Sequence, residues 1–209
     1  MAYSAIILAG GKGKRMGSRE KALMAIHGKP LISYVIEILE KVCDKIIISV
    51  RDKAQEELLN SVFPGYTYTS DEYENAGPLA GILSGLSVCR DDFCFVAACD
   101  MPFINENVVK MLFKLSENYD AAIPRWEDGF IEPMHAVYKC KPMICEARKA
   151  IEKGENIVLA PISKMKVNYV EIENIRKIDR DLRTFININT PEDIMLLTKL
   201  SAAKPEKQD

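Results

Sequence analysis

The stretch Ala5-Ile6-Ile7-Leu8-Ala9-Gly10-Gly11 decides the fold of this chain, because five apolar residues in succession are followed at once by two glycines. A short apolar run that ends at glycine is typical of a buried β-strand. Runs of similar character occupy residues 46–50 and 94–98, and stretches with the period of an amphipathic helix separate the three. Apolar strands alternating with amphipathic helices indicate a parallel sheet covered on both faces. The sequence therefore predicts an α/β fold.

The other elements follow from the same patterns and from cap residues. The predicted strands are residues 5–9, 46–50, 66–69, 94–98, 121–123, 134–138, 167–172 and 185–189. Predicted helices begin at Pro30, residue 54, Pro78, residue 107 and residue 142. A final helix is expected at Pro191, with Thr190 as its N-cap and Asp193 reaching back.

Composition and charge bound the class of protein. The 209 residues carry 28 Lys and Arg against 30 Asp and Glu, and this net charge of −2 argues against a nucleic-acid or membrane-surface protein. No apolar run approaches the roughly 18 residues that a membrane span needs. The six cysteines form no C-x-x-C pair, so we expect small buried thiols in a reducing cytoplasm rather than zinc or disulfides. We expect one domain over residues 1–201 and a flexible polar tail over residues 202–209.

A glycine-rich, basic segment follows the first strand. Its glycines let backbone N–H groups turn toward an anion, and its cations surround the same place: Lys12, Lys14, Arg15 and Lys21. This combination suits a triphosphate at the strand end where open α/β sheets bind ligands. It lacks the spacing of a P-loop, and Met16 stands where a dinucleotide fingerprint requires Gly or Ala. The alternative is a flexible basic loop.

An aspartate follows the strand at residues 94–98. Asp100, in Cys99-Asp100-Met101-Pro102, would lie beside the glycine-rich segment if the two strands are neighbours. Mg²⁺ prefers one or two carboxylates together with phosphate oxygens, which makes Asp100 the best candidate for a metal ligand. The alternative is a turn or N-cap aspartate.

Two further polar segments are candidates for ligand contacts. Asp71, ahead of Gly77, could accept hydrogen bonds from a guanine edge or from ribose hydroxyls, or the segment could be only an acidic loop before a helix. The period of a strand would place Asn187 and Asn189 on one face, where two amides could bind a polar acceptor. Alternatively, Asn189 shapes only the turn before Thr190.

Three ring-bearing residues give weaker signals. His135 could line a pocket, although a hydrogen-bonded structural histidine explains it as well, and His27 lies in a predicted turn. Trp126 could stack on a flat ring or anchor its loop.

Taken together, these segments resemble the molybdenum cofactor guanylyltransferase (MobA) family. The similarity is carried by four motifs in family order: Leu8-Ala9-Gly10-Gly11 with Arg15-Met16-Gly17 and Lys21; Asp71 with Gly77-Pro78-Leu79-Ala80-Gly81; Cys99-Asp100-Met101-Pro102; and Asn187-Ile188-Asn189-Thr190-Pro191-Glu192-Asp193. The first and third motifs are shared by many nucleotidyltransferases, and the fourth is more particular to the molybdopterin branch.

The resemblance implies a three-layer α/β/α fold with a mostly parallel twisted sheet, of the Rossmann-like nucleotide-diphospho-sugar transferase type. It implies transfer of GMP from GTP to molybdopterin or Mo-molybdopterin, with Mg²⁺ as cofactor. By the resemblance, Arg15, Lys21 and Asp100 are catalytic, and Asp100 also binds the metal. GTP would contact Leu8, Ala9, Gly10, Gly11, Lys21, Asp71, Gly77 and Asp100, and the pterin would contact Asn187 and Asn189. Other cofactor biosynthesis proteins and apo-molybdoenzymes are expected partners, without nucleic acid or membrane.

Two departures from the family pattern bear on specificity. Glu20 precedes Lys21 where the family usually has Asp, and Val50 precedes Arg51 where an Asn is common. The competing functions are a cytidylyltransferase for the same pterin, a nucleotidyltransferase for a sugar or polyol phosphate, and a non-catalytic carrier of nucleotide or pterin.

Overall fold

The computed structural model of the protein describes residues 2–11, 20–70, 73, 77–189 and 193. The strands are β1 (Ser4–Leu8), β2 (Ala25–Ile26), β3 (Lys29–Pro30), β4 (Lys45–Val50), β5 (Thr67–Ser70), β6 (Phe93–Ala98), β7 (Ala121–Arg125), β8 (His135–Lys139) and β9 (Val167–Glu171). The helices are α1 (Leu31–Leu39), α2 (Lys53–Val62), α3 (Gly77–Val88), α4 (Glu106–Ser116), α5 (Cys140–Glu152), α6 (Leu159–Ile162) and α7 (Ile172–Arg176). Short 3-10 turns lie at Lys21–Leu23 and Arg183–Phe185.

Seven strands form one sheet in the order β5-β4-β1-β6-β8-β7-β9, and β2 and β3 form a separate two-stranded ribbon. The strands β5, β4, β1 and β6 run parallel to one another. β8 is antiparallel to both of its neighbours, and β9 is parallel to β7. The prediction of a mostly parallel α/β fold is confirmed.

Helices cover both faces of this sheet, because successive strand residues point to opposite sides and both sets are apolar. Ile7, Ile48 and Ala97 belong to the core cluster that includes buried residues of α1, α2 and α4. Ile6 and Val96 belong to the cluster on the other face, which includes buried residues of α3 and α5. The molecule therefore has the three layers, α/β/α, that the resemblance implies.

The predicted last strand, residues 185–189, is wrong. Residues 183–185 form a 3-10 turn, and residues 186–189 belong to no regular element. Ile188 is buried in a small cluster with Ile26 and Leu31, whereas Asn187 and Asn189 are exposed. The alternation of apolar and polar residues, which suggested a strand, comes from an irregular segment packed beside the β2–β3 ribbon instead of in the sheet.

The chain after this segment is only partly described. Thr190, Pro191 and the predicted polar tail, residues 202–209, lie outside the described residues. Asp193 is described, and its Oδ2 accepts a hydrogen bond of 2.7 Å from the backbone N–H of Asn189. Among the helices that the structure describes, none has the length and apolar character needed to cross a membrane.

Candidate active site

The direction in which the sheet is built reverses between β1 and β6. After β1 the chain builds β4 and β5 on one side of β1, and it then returns to build β6 on the other side. Open α/β sheets bind ligands at such a reversal, outside the carboxyl ends of the strands. Leu8 pairs with Ala98, so the residues that follow β1 and β6 emerge side by side.

A lysine and an aspartate form an ion pair at this edge of the sheet. Asp100 follows β6 by two residues, and Cys99 between them donates its backbone N–H to the carbonyl oxygen of Leu8 at 3.1 Å. The Nζ of Lys21 is ion-paired with Oδ2 of Asp100, and it also donates to Oδ1 of Asn189 at 2.8 Å. Burial raises the pKa of Cys99 to about 12, so its thiol stays neutral beside the carboxylate.

The second carboxylate oxygen of Asp100 is unsatisfied. Oδ1 is buried and has no hydrogen-bond partner among the described residues, although the Asp100 side chain keeps 17% of its surface exposed. A buried polar atom without a partner costs about 1–3 kcal/mol unless a ligand or an ion supplies the missing interaction. Mg²⁺ commonly binds through one or two carboxylates plus substrate phosphates, so this oxygen fits it. Over the described ranges, no group of three or more acidic, Cys or His side chains could hold a metal by itself.

The backbone after β1 comes close to the backbone after β4. The N–H of Ala9 donates to the carbonyl oxygen of Ser49 at 2.8 Å. A Cβ atom at Gly10 would lie 3.2 Å from the backbone nitrogen of Arg51, so this position favours glycine for reasons of space. At Gly11 a Cβ would meet no atom of the described residues within 4 Å, so the described neighbours do not restrict this position to glycine.

A second polar network, on the β4 side of β1, surrounds Glu20. Its Oε1 accepts from Nη2 of Arg51 at 2.9 Å, and its Oε2 accepts from Nε2 of Gln55 at 2.6 Å. The same Nε2 donates to the carbonyl oxygen of Ala9 at 2.9 Å. Glu20 first, and then Asp52, raise the pKa of the Arg51 guanidinium, while hydrogen bonds from the Gln55 N–H and from Arg51 lower the pKa of Asp52.

Sequence reasoning missed Gln55 altogether. Asp52 is the N-cap of α2 and accepts from the backbone N–H of Gln55 at 2.8 Å. The pattern of an aspartate three residues before a glutamine, directly after an apolar strand, was the available signal, because it places the glutamine in the first turn of a helix at the ligand-binding edge.

Several residues expected in the site cannot be placed. Arg15 and Asp71 lie outside the described residues, as do Lys12, Lys14 and Gly17. Gly77 is the first residue of α3, with a φ of +59° that favours glycine. Because β5 ends at the carboxyl edge of the sheet and α3 is the next described element, Gly77 begins its helix at the same edge as Asp100.

The two asparagines differ in what they contact. Asn189 accepts from Lys21, and so belongs to the same group as Asp100. Asn187 is exposed, and its Nδ2 donates to the carbonyl oxygen of Phe185 at 3.2 Å. The segment is tied to the site by its backbone, since the N–H of Ile188 donates to the carbonyl oxygen of Asp100 at 2.9 Å.

His135 and Trp126 belong to the packing behind the site. His135 is fully buried between Phe95 and Phe185, and its Nε2 lies 3.2 Å from Oγ1 of Thr184. Burial lowers the pKa of His135 to about 3, so the ring is neutral. Trp126 packs edge-on against Phe185 and donates from Nε1 to Glu132 at 2.7 Å, which makes it a loop anchor. His27 lies in the turn between β2 and β3, with a φ of 51°.

Comparison with known proteins identifies the family of the chain. The MobA-like NTP transferase domain matches residues 5–165, so the chain is an NTP transferase by class. It is 47% identical over 197 residues to a probable molybdenum cofactor guanylyltransferase of Methanosarcina mazei, covering 91% of this chain and 88% of the relative. The corresponding protein of Methanosarcina acetivorans is 48% identical over 198 residues, again covering 91% and 88%. The chain belongs to the molybdenum cofactor guanylyltransferase (MobA) family.

A solved structure gives the same result. Molybdopterin-guanine dinucleotide biosynthesis protein A from Archaeoglobus fulgidus superposes with a TM-score of 0.84 at 32% identity. The match covers 96% of this chain and 100% of that one. The resemblance read from the four motifs is therefore confirmed over nearly the whole chain.

Proposed function

We propose that this chain transfers GMP from GTP to the terminal phosphate of molybdopterin, or of Mo-molybdopterin, and releases pyrophosphate. The observation that carries the proposal is the Lys21–Asp100 pair at the carboxyl edge of β1 and β6, with one Asp100 oxygen left without a partner among the described residues. The names of its relatives support guanine as the base and the molybdenum cofactor as the product class. We assign the activity to the single domain predicted for residues 1–201, in a cytoplasmic setting.

The chemistry asks for positioning and charge neutralisation rather than for a strong base. The terminal phosphate of the acceptor is already largely anionic at neutral pH, since the second pKa of a phosphate monoester is about 6. Mg²⁺, when bound at Asp100, would supply positive charge next to the α-phosphate. The residues of this chain must hold the triphosphate and the acceptor in line and stabilise the leaving pyrophosphate.

Each of these tasks has a candidate group. Lys21, together with Arg15, neutralises the β- and γ-phosphates, and the backbone N–H groups at Gly10 and Gly11 donate hydrogen bonds to the phosphate oxygens. Asp100 partly neutralises the Lys21 ammonium. With substrate bound, Lys21 would pair with phosphate oxygens and Asp100 would hold Mg²⁺, so that neither charge would be left unpaired.

The remaining contacts belong to the nucleoside and to the acceptor. Asp71 and Gly77 are assigned to the nucleoside, and Asn187 and Asn189 to the pterin side. Leu8 and Ala9 form the floor beneath the phosphates, since Ala9 is buried and Leu8 half-buried at the end of β1.

The choice of base does not depend on the side chain at position 50. Val50 is fully buried in the core, so this substitution for the Asn common in the family faces away from a ligand. Guanine selectivity is then assigned to groups at the Asp71–Gly77 end.

The experiment is product formation with purified protein, Mg²⁺, molybdopterin, and GTP or CTP in parallel. We expect pyrophosphate release with GTP and a pterin guanine dinucleotide by mass spectrometry. Release with CTP alone would keep the transfer mechanism and replace the base. Tight GTP binding without pyrophosphate release, under conditions that support a known family enzyme, would contradict transfer and favour a carrier. A sugar or polyol phosphate as the only working acceptor would contradict the pterin assignment.

A further inference from the structure

We infer that Gln55 is a positioning residue for the nucleotide, because it fixes Lys21 relative to the glycine backbone after β1. The inference rests on the proposed function, since it assigns Lys21 to the phosphates of the substrate. It concerns Glu20, Arg51 and Gln55, none of which touches Asp100 in the described contacts.

Gln55 uses its whole side-chain amide in this network. Its Oε1 accepts from the backbone N–H of Arg51 at 2.7 Å, and its Nε2 donates both to the carbonyl oxygen of Ala9 and to Glu20. The side chain is almost completely buried, with 2% of its surface exposed. Buried networks in which each member is satisfied are rigid, and a change that leaves one member unpaired is costly.

The network joins three segments that approach the same edge of the sheet. Ala9 is the residue that follows β1, and Arg51 is the residue that follows β4. Glu20 is held by both of its carboxylate oxygens, one from Arg51 and one from Gln55. Gln55 therefore sets the distance between Glu20 and the strand end at Ala9.

The contacts of Glu20 also constrain the position of Lys21. The two residues are consecutive, and while Glu20 reaches toward β4, the Nζ of Lys21 reaches Asp100 after β6. The Lys21 side chain is 13% exposed, so its reach is confined. A Glu20 carboxylate released from Gln55 and Arg51 would let the Lys21 backbone shift relative to Gly10 and Gly11, and a displacement of about 1 Å is enough to weaken charge-assisted contacts to a phosphate.

The test is a charge exchange between the two partners. In Gln55→Glu, the new carboxylate would face both Glu20 and the carbonyl oxygen of Ala9 and would repel them. In the double variant Glu20→Gln with Gln55→Glu, the contact between residues 20 and 55 is restored with donor and acceptor exchanged, whereas the carbonyl oxygen of Ala9 still faces a carboxylate. The matched control is Lys53→Ala, which removes only an exposed ion pair with Glu56 from the same helix.

Affinity for GTP and for GMP is measured by calorimetry, alongside the thermal midpoint without nucleotide. We expect Gln55→Glu to weaken GTP binding about ten-fold, the double variant to recover part of the loss because only the contact with residue 20 is restored, and Lys53→Ala to match the unsubstituted chain. GMP affinity is expected to stay within about two-fold in every variant, because Lys21 is assigned to the β- and γ-phosphates that GMP lacks.

Each outcome decides the inference. Equal loss of GTP and GMP affinity would show that Gln55 has only a structural role and would overturn the inference. A double variant that binds GTP no more tightly than Gln55→Glu would overturn it as well. If Gln55→Glu does not fold, Glu20→Ala, which leaves Gln55 and α2 intact, must show the same selective loss of GTP. Pyrophosphate release by the unsubstituted chain tests the proposed function separately. The binding experiment does not depend on it, because GTP binding needs no acceptor.

Discussion

Two consecutive residues, Glu20 and Lys21, reach opposite sides of β1 and enter two different kinds of polar cluster. On the β4 side, both oxygens of Glu20 and both ends of the Gln55 amide have partners. On the β6 side, Lys21 pairs with one oxygen of Asp100, and the other oxygen has no partner in the described part of the chain. We assign the first cluster as a scaffold and propose that the second is a binding site.

The clusters differ in whether each polar atom has a hydrogen-bond partner, rather than in burial or charge. Buried polar groups are nearly always hydrogen-bonded, so one that is not calls for an explanation. A site that must accept a cation and phosphates cannot be internally complete before they arrive. The neighbouring scaffold can be complete, and its rigidity holds the incomplete site in shape.

The largest expected effect comes from the cluster of Lys21 and Asp100, in which one carboxylate oxygen has no partner among the described residues. Asp100→Asn keeps the shape but removes the charge that would bind the metal, and we expect a loss of about 100-fold or more in kcat for pyrophosphate release. The measurement is turnover at saturating GTP, acceptor and Mg²⁺, with the thermal midpoint as a control for folding. Turnover within a few-fold of the unsubstituted chain would remove Asp100 from the mechanism.

Lys21→Ala is expected to be next in size. Loss of a charge-assisted contact to phosphate should lower kcat/KM for GTP by about 10- to 100-fold. Lys21→Arg, which keeps the charge but not the shape, should recover part of that loss. Steady-state kinetics with varied GTP measures both variants, and identical kinetics for Lys21→Ala and the unsubstituted chain would contradict the role.

The asparagine pair gives a smaller and more discriminating comparison. Asn189 contacts Lys21, whereas the described contact of Asn187 is to its own segment. We expect Asn189→Ala to reduce kcat/KM for GTP several-fold, about 1 kcal/mol, through a less constrained Lys21. Asn187→Ala should instead raise the KM for the pterin and leave the KM for GTP unchanged. Both asparagines are assigned to the pterin side, and Asn189 in addition contacts Lys21, so equal effects of both variants on GTP would contradict a role for that contact.

His135 tests whether an unpaired polar atom by itself marks a site. Its Nδ1 is also buried without a partner among the described residues, yet Phe95 and Phe185 enclose the ring. We expect His135→Gln to leave kcat/KM for GTP within about two-fold of the unsubstituted value. A large decrease in kcat/KM in a folded variant would show that His135 takes part in the function of the site.

The same residue has a measurable effect on stability. Burial lowers the pKa of His135 from its ordinary 6.5 to about 3, so between these values the unfolded chain binds a proton that the folded chain does not. The His135 contribution to the free energy of unfolding is therefore complete above pH 6.5 and is lost as the pH falls, by up to about 1.4 kcal/mol per pH unit. Denaturant unfolding at pH 7 and at pH 5 should show a smaller acid loss in His135→Gln, and equal losses would contradict a neutral buried ring.

The sequence predicted the parts of the molecule that depend on local patterns. β1, β4 and β6 are nearly continuous apolar runs. The helices between them carry an apolar stripe, as in α1 and α2, or are buried at successive residues, as α3 is over residues 79–86. The alternation of strands and helices and the covered sheet could therefore be predicted directly. Asp100 and Lys21 could be named because they follow strand ends and match family motifs.

The rest depends on contacts that local patterns do not contain. Gln55 meets Glu20 across 35 residues and Ala9 across 46, and no periodicity reports such a pairing. The strand predicted at residues 185–189 was wrong because an irregular segment that buries Ile188 alternates in the same way. The roles of Arg15 and Asp71 stay predictions, since both residues lie outside the described part of the chain.

The most direct measurement is the affinity for GTP with and without Mg²⁺, in the unsubstituted chain, in Asp100→Asn and in Asp52→Asn. Asp52 is the matched control, a carboxylate of the complete cluster whose replacement can still cap α2. We predict that Mg²⁺ tightens GTP binding to the unsubstituted chain and to Asp52→Asn by the same factor, and has little effect on Asp100→Asn. A full Mg²⁺ response in Asp100→Asn, or an equal loss of response in both variants, would contradict the assignment of the incomplete cluster as the metal and nucleotide site.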